Sequence, residues 1–208
     1  MSQAEPMRYL EGSRRLRAYR QRIGALRKQM HRVQQRVEPQ PVADYTFSTA
    51  RGPKRLSELF GAKQDLFVIH NMGSSCPYCT LWADGYNGLY AHLRSRASFV
   101  VSSPDPPAVQ ARFARTRGWR FPLVSHQGTT FAKDMGYRSR SGGFLPGISA
   151  FRREASRIVR LSDAPWAPGD DFCSLWHVLD LLPEGHAWWQ PKLSYNAAGR
   201  STPHPHQR

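Results

Sequence analysis

Two cysteines stand three positions apart in Cys76-Pro77-Tyr78-Cys79, between the apolar run Leu66-Phe67-Val68-Ile69 and the segment Leu81-Trp82-Ala83-Asp84. The run reads as a buried strand and the segment as the opening of a helix. A thiol at a helix start faces unpaired N–H groups and the positive end of the helix dipole. Both favour the thiolate, so its pKa falls from about 8.5 toward roughly 3.5–7.5. Pro77 suits the first helical position, where its missing N–H costs nothing. Disulfide exchange needs an attacking thiolate, a second thiol within reach and access for a partner. The spacing therefore predicts Cys76 exposed at the helix tip as nucleophile and Cys79, one turn inside, as the resolving thiol. Tyr78 and Pro77 would border the sulfur. Ser74 and Ser75 either hydrogen-bond the thiolate or cap the helix.

Other chemistry fits the residues less well. CxxC supplies two zinc ligands, and His92 follows Cys79 after twelve residues, but no histidine lies three to five positions further on. His70 reads as a hydrogen-bonded core histidine and Cys173 as a small core residue. No metal and no cofactor is expected.

The elements that must hold the dithiol follow from periodicity. Leu16, Tyr19, Ile23, Leu26, Met30, Val33 and Val37 fall at alternating steps of three and four, which predicts an amphipathic helix of about twenty-five residues with Gly24 as its weak point. Glu38-Pro39-Gln40-Pro41 stops it. The expected organisation is a basic helical arm over 1–40, one domain over 41–190 and a polar, disordered tail over 191–208. The apolar stripe is expected to pack on its own domain or on its twin in a homodimer. A nucleic-acid-binding arm stays open, whereas membrane insertion lacks Trp and Phe anchors.

Within the domain, short strands are predicted at 44–48, 66–70, 98–102 and 121–124, and helices at 56–61, from the dithiol to about Arg96, at 105–117 and at 130–135. The runs at 147–151 and 157–161 fit an antiparallel hairpin. A final helix is expected over 171–182, with Phe172, Leu175, Trp176, Leu179 and Leu182 on one face.

With 208 residues, 40% of them hydrophobic, the chain suits one packed domain plus extensions. No stretch approaches the roughly 18 apolar residues of a membrane span, and the first twenty residues lack an apolar signal core. A cytoplasmic protein is the expectation, and three cysteines are too few for a disulfide framework. A formal charge of +15, nearly all of it from arginine, excludes an acidic surface and leaves either a solvated basic one or an acidic partner.

Alternating strands and helices, a CxxC after a buried strand, and a closing hairpin and helix resemble the thioredoxin fold, an α/β fold with a central mixed sheet. Leu56-Ser57-Glu58-Leu59-Phe60 before Leu66-Phe67-Val68-Ile69-His70 resembles the opening of alkyl hydroperoxide reductase relatives, and the CPYC loop is similar to that of glutaredoxins. With Trp82-Ala83-Asp84-Gly85, Gly118-Trp119-Arg120-Phe121-Pro122, Leu145-Pro146-Gly147-Ile148-Ser149-Ala150-Phe151 and Trp188-Trp189, the chain most resembles a bacterial thioredoxin-like family of unassigned function. The resemblance implies a thiol-disulfide oxidoreductase acting on a protein or small-molecule disulfide. It also implies that Pro146 is a cis-proline turning its own backbone and that of Leu145 toward Cys76, beside a docking edge that includes Ser75. Where thioredoxin has a tryptophan before the dithiol, this chain has Ser75. Peroxiredoxins carry a threonine and a proline at the positions of Gly73 and Ile69, so a peroxidase is the alternative with its frame missing. The other alternative is a non-catalytic binding or regulatory protein using the basic arm.

Overall fold

Strand alternation explains how one segment serves two cores. In a computed structural model that describes residues 7–155 and 157–195, the central strand covers Asp65–His70. Its Leu66 and Val68 face one side of the sheet with Phe47, Val100, Val124, Phe131 and Phe151. Its Phe67 and Ile69 face the other side with Trp82, Ala83, Tyr86, Phe99 and Val101. A period of two gives the strand an apolar layer on each face, each buried aliphatic side chain contributing about 1.5–3 kcal/mol.

The chain divides into two compact units at the Gln40–Pro41 bond. The first carries helix α1 (Tyr9–Gln34), none of whose residues is buried. The second carries the strands β1 (Gln40–Val42, whose first residue precedes the division), β2 (Thr46–Thr49), β3 (Gly52–Arg55), β4 (Asp65–His70), β5 (Ser98–Ser103), β6 (Leu123–Ser125), β7 (Gly147–Glu154) and β8 (Arg157–Pro165). Its helices are α2 (Leu56–Leu59), α3 (Pro77–Arg96), α4 (Pro107–Arg117), α5 (Phe131–Asp134) and α6 (Ser174–Leu179).

The eight strands form one sheet in the order β1-β8-β7-β4-β5-β6-β2-β3. β4, β5 and β6 run parallel, with Val68 opposite Val100 and Ser102 opposite Val124. β7 is antiparallel to β4, with Gly147 opposite His70, and the β7–β8 hairpin closes that side. This mixed α/β sheet, with a helix leaving β4 at the dithiol, is the thioredoxin fold. Among the described residues no helix is long and apolar enough to cross a membrane.

The structure differs from the sequence reading at three places. β3, Gly-Pro-Lys-Arg, has no apolar alternation and forms because its partner β2 supplies the buried Phe47. The final helix covers only Ser174–Leu179. Asp170 Oδ1 accepts the N–H groups of Phe172 (2.8 Å) and Cys173 (3.1 Å), holding the chain in a turn where a helix would begin. After it, Leu181 and Leu182 bond three residues back, so the α-helical pattern ends. Trp176 is buried on the predicted face, whereas Phe172 and Leu182 are exposed. Most of the tail expected to be disordered lies outside the described residues, but its start is anchored: Pro191 is buried, and the Leu193 carbonyl accepts from Arg117 at 2.8 Å.

Candidate active site

Helix α3 starts where the sequence puts its thiols. Cys76 is the N-cap residue, extended at φ −92° and ψ 109°, and Pro77 takes the first turn. The Cys76 Sγ accepts the backbone N–H of Cys79 at 3.1 Å, doing with sulfur what a capping serine does with oxygen. The Cys76 carbonyl accepts both the backbone N–H (3.1 Å) and the hydroxyl (2.9 Å) of Thr80. Both thiols are free, Cys76 half-buried and Cys79 buried.

These contacts separate the two sulfurs electrically. The Cys79 thiol hydrogen-bonds to Cys76, and with the N–H groups of Cys79 and Tyr78 it outweighs partial burial and lowers the Cys76 pKa to about 7. The same hydrogen bond raises the Cys79 pKa, and burial and the negative charge on Cys76 add to that. Cys79 Sγ also accepts the N–H of Met72 at 3.4 Å. The outer sulfur is therefore a thiolate near neutrality and the inner one a protonated thiol.

The loop that leads to Cys76 is tied to neighbouring strands. Asn71 donates its N–H to the Ser102 carbonyl at 2.9 Å, and its Oδ1 accepts from Gly73 at 2.7 Å. Asp105, after β5, accepts the Ser74 N–H through Oδ2 at 2.7 Å. Gly73 has φ +115°, and a Cβ on it would meet Asp105 Oδ1 at 3.1 Å. Ser75 is exposed beside Cys76. Tyr78 stacks against Trp176, with ring centroids 6.3 Å apart, so it is partly built into the core below the site. Cys173 is buried in that same core.

The expected cis-proline is absent: the Leu145–Pro146 peptide is trans, like every other among the described residues. The segment leads directly into β7, which lies between β4 and β8. The Leu145 N–H donates to Tyr137 (2.9 Å) and the Pro146 carbonyl accepts from Trp166 (3.0 Å). Pro146 still lies next to the start of the dithiol loop, since the following Gly147 pairs with His70. Gly147 has no room for a side chain, because a Cβ there would sit 2.2 Å from the Tyr137 ring. Leu145 is exposed.

The sheet face opposite α3 carries a polar row, of which sequence reasoning found only the hydrogen-bonded core histidine His70. Ser149, His70, Ser102 and His126 lie across β7, β4, β5 and the end of β6, all buried. His70 Nε2 is 2.9 Å from Ser149 Oγ, and His126 Nδ1 is 2.9 Å from Ser102 Oγ. His70 stacks on Tyr137 at 3.7 Å. Burial lowers the pKa of His126 to about 4 and that of His70 well below its ordinary value, so both are neutral at neutral pH. Their signal was alternation alone: His70, Ser102 and His126 each fall two positions beyond a core valine, Val68, Val100 and Val124, and Ser149 falls two positions before the core Phe151. Asp105 carries no local signal, since its partner Ser74 is 31 positions away. Among the described residues no group of three or more metal-ligating side chains comes together.

Fold and site define a thioredoxin-fold protein with a dithiol at the start of its first long domain helix. The chain belongs to the family described as bacterial protein of unknown function (DUF899), which matches residues 3–197. Among solved structures it is similar to peroxidoxin BcpB from Mycobacterium tuberculosis, at 30% identity over 61% of this chain and 84% of that one, with a TM-score of 0.51. Reduced Prx3 from Vibrio vulnificus matches at 16% identity over 64% and 89%, with a TM-score of 0.53. A structure of Xanthomonas campestris peroxiredoxin Q matches at 18% over 59% and 80%, with a TM-score of 0.51. The last two share the fold. No curated protein matches the chain.

Proposed function

We propose that the domain is a thiol-disulfide oxidoreductase of a reducing compartment such as the cytoplasm, with Cys76 attacking and Cys79 resolving. The observation that carries this reading is the division of labour between the sulfurs: a half-buried Cys76 with its pKa lowered to about 7 and a buried Cys79 held as a thiol. The Cys76 thiolate attacks one sulfur of a substrate disulfide, whose S–S bond breaks as one thiolate leaves, giving a mixed disulfide. Cys79 then gives up its proton to the departing thiolate and attacks Cys76 Sγ. The second substrate thiolate leaves, and a Cys76–Cys79 disulfide remains. The substrate gains two electrons and the dithiol loses two, to be restored by a thiol reductant. Ser75, Pro77, Tyr78 and Leu145 would border the substrate, and Pro146 would back them.

Peroxide reduction is the second reading, supported by the likeness to BcpB. Gly73 and Ile69 stand where the peroxiredoxin pattern has a threonine and a proline, and no cationic side chain contributes to the lowered pKa of Cys76. One assay separates the readings. Turnover of a small disulfide and of hydrogen peroxide are measured side by side with wild type, Cys76→Ser and Cys79→Ser. The reading expects faster disulfide turnover, lost in Cys76→Ser, with a mixed disulfide trapped in Cys79→Ser. Equal rates for wild type and Cys76→Ser would discard it, and faster peroxide turnover would favour the peroxidase.

A further inference from the structure

The arm helix repeats with a period of seven. Leu16, Ile23 and Met30 occupy one seam position and Tyr19, Leu26 and Val33 the other, within an unbroken helix from Tyr9 to Gln34. A strict 3.5-residue spacing is the seam of a coiled coil, narrower than the apolar stripe of a helix packed on a globular core. All six side chains are exposed, from 46% at Ile23 to 67% at Met30. A helix that buries nothing gains little from tertiary packing, so a covering partner would supply most of its stability.

The positions flanking the seam say what that partner is. On one side stand Arg20, Arg27 and Gln34, and on the other Arg15, Arg22 and Gln29. Flanking charges set partner choice in coiled coils. A second copy in parallel would set Arg15 against Arg20 and Arg22 against Arg27. An antiparallel copy would again meet only arginine or glutamine. Every self-pairing therefore carries a repulsive element and no compensating acid. An anionic membrane would answer the charge but not the seam, which has no Trp or Phe between residues 9 and 34 and is too narrow for interfacial burial.

We propose that α1 is a docking half-coil for an amphipathic helix of another protein, with apolar residues in heptad spacing and Asp or Glu at the flanking positions. Such a helix would cover the seam and neutralise the arginines together.

The test uses the full chain and two synthetic peptides of about three heptads with identical Leu/Ile seams, one flanked by Glu and one by Lys, titrated by calorimetry at low and moderate salt. The Glu peptide is expected to bind at least about tenfold more tightly than the Lys peptide and to weaken as salt rises. Leu26→Glu, at an exposed position, is expected to abolish binding, and Arg20→Glu with Arg22→Glu to reduce or reverse the preference for the Glu peptide. Disulfide turnover is expected to stay unchanged in each variant. Equal affinity for both peptides, or none for either, would overturn the proposal. So would a chain that sediments as a dimer broken by Leu26→Glu, or one that prefers phosphatidylglycerol vesicles to the Glu peptide.

Discussion

Asp105 Oδ2 accepts the Ser74 N–H at 2.7 Å, joining the end of β5 to the loop that delivers Cys76 to its helix. The anchored Ser74 stands two positions before Cys76, so Asp105 acts on Cys76 by positioning the backbone before it. It is a residue of the parallel-strand ends, where this sheet gathers its functional loops.

Replacing Asp105 by Ala removes the acceptor of a half-buried N–H and is expected to cost about 1–2 kcal/mol of stability. With the loop loosened, the Cys76 titration should move up. Denaturant unfolding and pH-dependent alkylation read the two effects. Unchanged stability with an unchanged titration would mean that the loop holds without its tether.

Gly73→Ala tests the same junction from the other side. The substitution places a methyl 3.1 Å from Asp105 Oδ1 at a φ of +115°, where L side chains are strained. A loss of about 1–3 kcal/mol is expected, with slower disulfide turnover. A neutral result in thermal unfolding would contradict the crowding.

Cys79→Ala should raise the Cys76 pKa part of the way from about 7 toward a free thiol, because the Cys79 S–H is lost while its backbone N–H remains. The ultraviolet absorbance of the thiolate against pH measures this. An unmoved titration would show that the helix start alone sets the value.

The buried histidines make stability depend on pH. His126 titrates near 4 when folded and near 6.5 when unfolded, so the unfolded chain binds more protons between those values. The contribution is whole above about pH 6.5 and is lost progressively as pH falls toward about 4, amounting to about 3 kcal/mol by linkage. His70, lowered for the same reason, adds in the same direction. Urea unfolding at about pH 7.5 and pH 5 should show the drop, and His126→Asn should reduce it to the part that His70 contributes. A wild-type profile level across this range would contradict neutral burial.

The sequence carries the dithiol, its helix and the two-sided β4 plainly, because each depends on neighbours in the chain: a cap, a proline, a run of Leu66 to Ile69 between polar ends. The β7–β8 hairpin is readable for the same reason. What escapes is set by pairing across the sheet. Asp105 finds Ser74, and Ser149 finds His70, only once the strand order exists. Gly52 to Arg55 becomes a strand only because β2 lies beside it. Pro146 shows the opposite error, since a motif in register with the fold suggested a cis bond, while the backbone around it is committed to Tyr137 and Trp166 in a trans arrangement. The charged flanks of the arm were visible throughout, but they gain meaning from a continuous helix whose seam side chains are exposed.

The most direct test of the central claim is the titration of Cys76 itself in the reduced, full-length protein, followed as the rate of iodoacetamide alkylation at that residue from about pH 5 to pH 9. The account predicts reactivity that rises through a midpoint near 7 and levels off above it, with Cys79 unmodified throughout. A midpoint at or above about 8.5, or prior modification of Cys79, would contradict it.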